Sequence, residues 1–345
     1  MSASHSAQDM QQTLLKQARW KWPEILFWLA LASLYVLFPS KLSLLSEILI
    51  LALLALSIDL VLGFAGIVTL GQGAFFGLGA YTAALMGKWG MGTAPLSDPL
   101  IGLIGAALVS GLVGFATSFL VLRGSDLTRL MVTLGVALMI EELANKLKWL
   151  TGGSDGLQGV LIAPILGNWD FDIFGKVSFV YCYVVVFVMF VIARQFMHAP
   201  FGLSLLAIKG NPLRARAIGL PVNERLVMVY TIAAMMAGVA GALLAQTTQF
   251  ASLDMVAFHR SADALLILIF GGAGYLYGGF VGAFVFRVMQ DVLGNITPQY
   301  WQFWLGIVLL LLVLFIRGGL LGLLRHLRDR YAPNLMGPPS SSRES

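Results

Sequence analysis

The stretch ARQFMHAPFGLSLLAIKGNPLRARAIGLPVNERL, from Ala193 to Leu226, is a basic segment with a long apolar run on either side. Apolar residues recur in it at helical spacing around the breaker Gly210-Asn211-Pro212, so it predicts two short helices. Its one acidic residue, Glu224, is outnumbered by five basic residues: Arg194, Lys209, Arg214, Arg216 and Arg225. Because an excess of Lys and Arg in a short loop marks the cytoplasmic side of a multi-span membrane protein, we predict a cytoplasmic loop. A loop that only connected two spans could be far shorter, so the length of this loop indicates a docking element for a cytoplasmic partner.

The composition of the 345-residue chain is that of an integral membrane protein. It is 58% hydrophobic and 11% charged, and its mean hydropathy of +0.85 lies far outside soluble usage. The 38 glycines fit this class, because small residues let transmembrane helices approach closely. The net charge of +5 reflects topology and contact with anionic membrane lipid, and nothing indicates nucleic acid as a partner. The single cysteine, Cys182, excludes an internal disulfide.

Windows of about 19 residues predict an all-α fold with about ten transmembrane spans. The predicted spans are Glu24–Phe38, Leu44–Gly63, Ile67–Met86, Pro99–Val121, Leu127–Leu147, Val177–Ala193, Leu226–Ala245, Ala262–Gly272, Gly278–Leu293 and Trp301–Ile316. The third, eighth and ninth could instead be bent or re-entrant helices. Glycines crowd the third, and the run GGAGYLYGG at Gly271–Gly279 divides the apolar stretch of the other two.

The basic residues predict that both termini are cytoplasmic. This arrangement places fifteen of the 22 Lys and Arg residues on the cytoplasmic side, whereas an odd number of spans would put one basic terminus outside. We therefore expect a cytoplasmic segment over residues 1–23, a membrane domain over 24–316 with its cytoplasmic loop at 194–225, and a cytoplasmic tail over 317–345. The largest exterior loop, Thr151–Lys176, either contacts an external protein or only covers helix ends.

The sequence gives no support for an enzyme. It has no G-x-x-x-x-G-K-[ST] motif, so the chain is not expected to hydrolyse ATP itself. Its four histidines are not paired at ligand spacing, so we predict no metal and no cofactor. One G-x-S-x-G match, at Gly152–Gly156, follows a predicted span and lacks the strand-turn-helix context of a nucleophile elbow.

Ionisable residues inside the predicted spans are the default functional candidates, because burying a charge in hydrocarbon costs at least about 2.5 kcal/mol. The main ones are Asp59, Glu141 and Glu142. The glutamates either pair within their helix, as Glu142 and Lys146 can at i, i+4, or line a solute pathway. Asp59 either makes a packing hydrogen bond between helices or lines that pathway. So few acids argue against a proton- or sodium-driven carrier, although a secondary carrier or channel stays an alternative.

Four blocks in order resemble one family of membrane transport subunits. They are LVLGFAGIVTLGQGAFFGLGAYTAALM (Leu60–Met86), TGGSDGL (Thr151–Leu157), FGLSLLAIKGNPLRARAIGLPV (Phe201–Val222) and AAMMAGVAGALLA (Ala233–Ala245). Across the region that these blocks span, Leu60–Ala245, about half of the chain, it is similar to permeases of bacterial ABC importers for branched-chain and other hydrophobic amino acids, in the order of the LivM-type subunit. Urea and short-chain amide permeases share nearly all of the blocks, and ribose-type permeases share the architecture.

The resemblance implies a subunit of a bacterial inner-membrane importer. Its partners would be ABC ATPase subunits, a second permease subunit of the LivH type and a periplasmic solute-binding protein. The family places its coupling helix, which seats in the ATPase, in the basic loop. The matching positions are Phe201, Gly202, Ala207, Ile208, Asn211, Arg214, Ala215, Ala217 and Gly219. The chain departs from the pattern at Leu203 and Leu206, where arginine is frequent, and at Gly210 and Pro212, where acidic residues are common.

The physical pattern of the loop agrees with a coupling role. Five apolar residues are expected to enter the ATPase socket: Leu205, Ile208, Leu213, Ile218 and Leu220. Three basic residues are expected at its rim: Lys209, Arg214 and Arg216. The alternative is an amphipathic helix resting on anionic lipid.

A glycine face completes the candidates for the solute path. Gly66, Gly73 and Gly77 would share one face of a continuous helix, where they would line the path or only pack against another helix. The full set of path candidates is Asp59, Gly73, Gly77, Glu141 and Glu142.

Overall fold

The computed structural model describes residues 22–90, 97–124, 126–165, 169, 175–296, 298–315 and 318–323. Within these ranges the chain is helical, and its β-type pairings are two isolated bridges. The predicted all-α fold is confirmed. Residues 1–21 of the predicted cytoplasmic segment 1–23 and most of the predicted tail lie outside the described residues.

A helix overlaps each of the ten predicted spans, and two short helices occupy the basic loop. In chain order they are α1 (Trp22–Leu37), α2 (Leu42–Asp59), α3 (Gln72–Gly90), α4 (Pro99–Val121), α5 (Asp126–Lys146), α6 (Lys176–His198), α7 (Pro200–Gly210), α8 (Pro212–Ala217), α9 (Val222–Thr248), α10 (Phe258–Gly271), α11 (Gly278–Ile296) and α12 (Trp301–Phe315). A π-helix, Leu60–Phe64, extends α2. A 3-10 turn, Leu253–Met255, precedes α10.

Four stretches of the described chain are long and apolar enough to cross a membrane: Pro39–Phe64, α4, α6 and α9. They differ in burial. The apolar windows of Pro39–Phe64 and α9 are 89% and 72% buried, against 33% for α4 and 39% for α6. α2 and α9 therefore form the centre of the bundle, and α4 and α6 present most of their apolar side chains outward.

α3 packs against the central helix α9 through glycines that bring the two backbones into contact. A Cβ atom on Gly79 of α3 would collide with the Gly238 carbonyl of α9, and one on Gly241 of α9 would collide with the Phe76 carbonyl of α3. The reciprocal contact lets α3 and α9 cross at a separation that no larger side chain would permit.

The third predicted span differs from the structure at its beginning. Its helix starts at Gln72, because the chain from Ala65 to Gly71 is irregular after the π-helix. The Ile67 N–H turns back to donate to the Val61 carbonyl at 3.0 Å. Gly66 lies in this break with φ +74°, so the expected glycine face shared with Gly73 and Gly77 does not exist.

The break between the eighth and ninth predicted spans is where the sequence placed it. α10 ends at Gly271 and α11 begins at Gly278. Between them, Gly272 and Gly274 adopt φ values of +107° and +87°, which glycine reaches without steric strain. The two helices form a hairpin whose tip reaches the carboxyl end of α2.

α6 defines the two ends of the bundle. Its last residue, His198, leads into α7, and we call this end the coupling end. Its first residue, Lys176, lies about 33 Å away, because an α-helix rises 1.5 Å per residue. α9 runs the other way, from Val222 at the coupling end to Thr248 at the opposite end. α1 begins at the coupling end, where Glu24 pairs with Arg194.

Candidate functional site

The basic loop folds as the two short helices that its sequence predicts. α7 begins with Pro200 in its first turn and ends at Gly210. Asn211 is extended, and its Oδ1 atom accepts hydrogen bonds from the backbone N–H groups of Leu213 and Arg214, both at 3.0 Å. The asparagine therefore caps α8, and Pro212 occupies the first helical position, where no N–H is needed.

The residues matched to the coupling motif divide into an inner and an outer set. Five are buried or partly buried in this chain: Phe201, Gly202, Ile208, Asn211 and Ala215. Four are exposed: Ala207, Arg214, Ala217 and Gly219. The expectation that Leu205 and Ile208 enter a partner's socket is wrong, because they are 0% and 2% exposed within this chain.

Other apolar residues of the loop form its outward surface. Leu213 and Ile218 are 75% and 74% exposed, and Leu203 and Leu206 are 45% and 47% exposed. We call these four residues the outer apolar patch. Leu203 and Leu206 are two of the positions where the sequence differs from the pattern expected from the resemblance. Both of these differences lie on the accessible face of the loop.

Lys209, expected at the rim of the loop, is exposed, but its ammonium group is bonded within the chain. Its Nζ atom donates a hydrogen bond to the Gly63 carbonyl at 2.6 Å, at the end of the π-helix. One turn earlier, Asp59 is fully buried, and its Oδ1 atom accepts from the Gly274 N–H at 2.6 Å. The loop, the end of α2 and the tip of the α10–α11 hairpin therefore meet at one polar cluster, and Asp59 makes a hydrogen bond between these elements.

Two more basic residues of the loop are engaged within the chain. Arg194 is buried, and its guanidinium lies 2.8 Å from the Glu24 carboxylate. Arg225 lies over the Phe201 ring, with its Cζ atom 5.5 Å from the ring centroid. Arg214 and Arg216 are exposed, so they are the basic groups that the loop presents outward.

A polar cavity of about 430 Å³ lies at the opposite end of the bundle. We call it the polar pocket. It is lined by Ser43, Ser46, Glu47, Ile50, Gly175, Ser178, Leu244, Thr247, Thr248, Gln249, Met255 and Arg260. Its wall thus comes from the beginnings of α2 and α6, the end of α9 and the segment that leads into α10. Glu47 and Arg260 give it one group of each charge.

Each charged group of the polar pocket is oriented by an ion pair. The Oε2 atom of Glu47 lies 2.6 Å from the Nη2 atom of Arg287 in α11. The Nη2 atom of Arg260 lies 2.6 Å from the Oδ2 atom of Asp254. Burial alone would raise the pKa of Asp254, but the hydrogen bond and charge of Arg260, with His259 beside it, outweigh burial and lower that pKa. Asp254 therefore stays ionised and holds Arg260 at the edge of the pocket.

Gly73 and Gly77, predicted for the solute path, pack against one wall segment of the polar pocket. A Cβ atom on Gly73 would lie 2.6 Å from Ser261 Oγ, and one on Gly77 would lie 2.6 Å from Val256 Cα. Both glycines let α3 press against the segment from Met255 to Ser261. They lie behind the pocket wall and are not among its lining residues.

The predicted glutamates lie on a different surface. Glu142 is exposed and pairs with Lys146 at 3.6 Å, the i, i+4 contact expected from the sequence. Glu141 is partly buried on the same helix. Neither is among the residues that line the polar pocket.

Sequence reasoning missed the charges of the polar pocket. Glu47 and Arg287 both fall inside predicted spans, and Asp263 falls inside a third. Two opposite charges in separate apolar spans are a signal for an ion pair, because neither is stable alone in hydrocarbon. Gln72 was also missed, since an amide carries no charge to mark it.

Comparison with known proteins places the chain in one family. It matches the family described as branched-chain amino acid transport system / permease component over residues 40–314. The high-affinity branched-chain amino acid transport system permease protein LivM of Salmonella typhimurium is 29% identical over 296 residues, 79% of this chain and 68% of that protein. LivM of Escherichia coli K12 matches with the same identity and coverage. The probable branched-chain amino acid transport permease protein LivH of Methanocaldococcus jannaschii is 25% identical over 71% of this chain and 77% of its own length.

No solved structure matches the chain. The family match extends from the turn before α2 into α12, so it includes both the polar pocket and the basic loop. The chain is a multi-pass membrane protein, and it belongs to the family of permease components of branched-chain amino acid transport systems.

Proposed function

We propose that this chain is the permease subunit of an ABC importer in a bacterial inner membrane. It forms part of the path for branched-chain or other hydrophobic amino acids, and ATP hydrolysis on separate subunits drives transport. The observation that carries the proposal is the basic loop: its helices leave a patch of apolar side chains uncovered while Lys209 ties their other face to the buried end of α2.

The basic loop would act as the coupling element. The outer apolar patch supplies the surface that enters the ATPase subunit, and the exposed Arg214 and Arg216 fix its register. A motion of the ATPase would reach the membrane domain through the Lys209 bond and through α9, which follows the loop directly. The motif residues Ala207, Ala217 and Gly219 lie on the accessible side and fit this contact.

The polar pocket would receive the solute. A periplasmic binding protein would deliver it at the end of the bundle opposite the coupling loop, and a second permease subunit of the LivH type would complete the path. Arg260 suits the carboxylate of an amino acid and Glu47 suits its ammonium group. A cavity of about 430 Å³ is large enough for one such molecule.

Urea or a short amide is the runner-up solute. The resemblance to urea and amide permeases favours it, and a neutral solute would also pass a path with few free charges. The pocket's groups of opposite charge favour a zwitterion. A secondary carrier or a channel fits less well, because the loop then has no partner for its outer apolar patch.

The test combines uptake with ATP hydrolysis. Deleting this chain should lower uptake of leucine, isoleucine and valine when the binding protein is present, and loss of urea uptake alone would replace the amino-acid proposal. In the reconstituted complex, Ala217→Glu should abolish uptake and solute-stimulated ATP hydrolysis, because an exposed charge would enter the socket. Ala217→Ser is the matched control and should keep both. Normal stimulated hydrolysis in Ala217→Glu would refute the coupling role.

A further inference from the structure

The start of α3 lies inside the bundle and not at a membrane surface. Its first residue, Gln72, follows the irregular segment Ala65–Gly71, in which the Leu70 N–H donates to Thr133 Oγ1 at 3.3 Å. Thr133 lies seven residues into α5, about 10 Å from the first residue of that helix. A helix that begins at this depth places its amino terminus in an apolar region, where polar groups need partners.

Neighbouring hydroxyl groups accept hydrogen bonds from two backbone N–H groups at this start. The Gly71 N–H donates to Thr69 Oγ1 at 3.2 Å, and the Gly73 N–H donates to Ser261 Oγ at 2.8 Å. The Ala74 N–H donates to the Gly71 carbonyl at 3.1 Å.

The amide of Gln72 is buried without a hydrogen bond. The residue is 0% exposed, and neither its Oε1 nor its Nε2 atom has a partner in the part of the chain that the structure describes. Buried polar groups are nearly always paired, so both ends of one amide left open call for a physical reason.

Gln246 shows what a structural glutamine looks like in this protein. It is also buried, at 2% exposure. Its Oε1 atom accepts from the Tyr181 hydroxyl at 2.7 Å, and its Nε2 atom donates to the Pro99 carbonyl at 2.8 Å. Gln246 joins three helices with both halves of its amide, whereas Gln72 joins none.

Gln72 is next in the chain to a residue that packs against the wall of the polar pocket. Its neighbour Gly73 contacts Ser261 and would hold a Cβ atom 3.3 Å from the Cβ of Arg260, which lines the pocket. A solute that moves inward past Arg260 therefore meets the start of α3 next. A side-chain amide offers both a donor and an acceptor, which suits a carboxylate, an ammonium or an amide group.

We propose that Gln72 is a solute-binding residue of the translocation path, exposed to the polar head of the solute when the wall formed by Arg260 and Ser261 moves away from α3. The inference rests on the proposed function and adds a residue to it. In the conformation described here the site is closed, and the Gln72 amide has no hydrogen-bond partner among the described residues.

The test replaces each buried glutamine by methionine, which has a similar shape and no amide. Each complex is reconstituted in proteoliposomes with its ATPase subunits, second permease and binding protein, and uptake is measured for leucine and for urea. Gln72→Met should leave the thermal midpoint unchanged or raise it, because an unpaired buried amide is removed. It should lower uptake roughly tenfold, because the solute loses a hydrogen-bonding group. Gln246→Met should lower the thermal midpoint.

Two results would overturn the inference. One is wild-type uptake by Gln72→Met, and the other is a parallel fall of its thermal midpoint and uptake, the behaviour expected of a structural glutamine. Uptake is scored on whichever of leucine or urea the wild-type complex transports, so a change of solute tests the proposed function separately. A wild-type complex that transports neither would defeat both proposals.

Discussion

The Nζ atom of Lys209 lies 2.6 Å from the carbonyl oxygen of Gly63, and this bond joins the basic loop to the last turn of the central helix. The stem of the lysine also covers Gly66, where a Cβ atom would lie 2.9 Å from the lysine Cγ. The positive φ of Gly66 and its missing side chain make room for this stem. A residue that the sequence assigns to the partner-facing rim therefore holds the loop to its own chain.

Lys209→Met should loosen the basic loop. The bond is partly exposed, so its loss should lower the free energy of unfolding by about 1 kcal/mol. ATP hydrolysis should continue while leucine uptake falls, because the loop moves without α2. Thermal unfolding in detergent and uptake in proteoliposomes measure both effects. Arg214→Met, which removes an exposed cation, controls for charge, and an equal loss of stability there would contradict the assignment.

Gly79→Ala should be among the most damaging small changes in the chain. Its methyl group would meet the Gly238 carbonyl, and backbone cannot move aside as a side chain can, so we expect a loss of about 3 kcal/mol or failure to assemble. The matched control is Gly135→Ala in α5, where a Cβ atom has nothing within 4 Å. Ala is the better helix former, so that variant should gain up to about 1 kcal/mol. Equal midpoints in thermal unfolding would refute the close contact.

Removal of one partner of the Glu24–Arg194 pair should destabilise the coupling end. The side chains are 18% and 7% exposed, and a buried charge left alone costs about 3 kcal/mol. Arg194→Met should show this loss, and the double variant with Glu24→Met should recover most of it. A double variant no more stable than Arg194→Met would show that the pairing contributes little.

Acid should weaken the pair between Asp254 and Arg260. The pKa of Asp254 is lowered from 3.8, so its contribution to stability is present above that value and is lost as the pH falls through the folded-state pKa. Wild type and Asp254→Asn should differ in thermal midpoint at pH 7, and the difference should shrink as the pH falls below 3.8. A difference that stays constant over this range would contradict the ion pair.

Reporter fusions test the orientation. Fusions after Gly175 and after Ala251 should read as external, and a fusion after Gly210 should read as cytoplasmic, because most basic residues then lie inside. An external reading at Gly210 would overturn the topology and, with it, the coupling role of the loop.

The helices and the breaks between them follow from the sequence because their causes are local. Apolar runs of about 20 residues, the Gly210-Asn211-Pro212 breaker and the GGAGYLYGG run each act within a few residues. The family also follows from local blocks, since the motif around Phe201–Val222 is continuous in the chain. These features needed no knowledge of which helices are neighbours.

The site could not be predicted in the same way, because it depends on contacts between distant segments. Lys209 and Gly63 are 146 positions apart, and Glu47 and Arg287 are 240 apart. Gly73→Ala, a mild change for a residue that lines a path, would place its methyl group 2.8 Å from the Ser261 nitrogen. A packing role and a role in the solute path both predict that Gly73→Ala impairs transport, so this variant does not distinguish the two roles. A change at Gln72 is therefore the better test of the solute path.

α9 reaches from the basic loop to the polar pocket, and α3 touches it at Gly238 and Gly241. About 27 Å of α9 lies between Val222 and that contact, and about 12 Å lies between the contact and Thr248. If α9 tilts as a rigid rod about this point, it is a lever with unequal arms. A displacement of Val222 then moves Thr247 and Thr248 in the opposite direction and by roughly half the distance. A large movement at the ATPase would therefore produce a smaller movement of the pocket wall, with a correspondingly greater force.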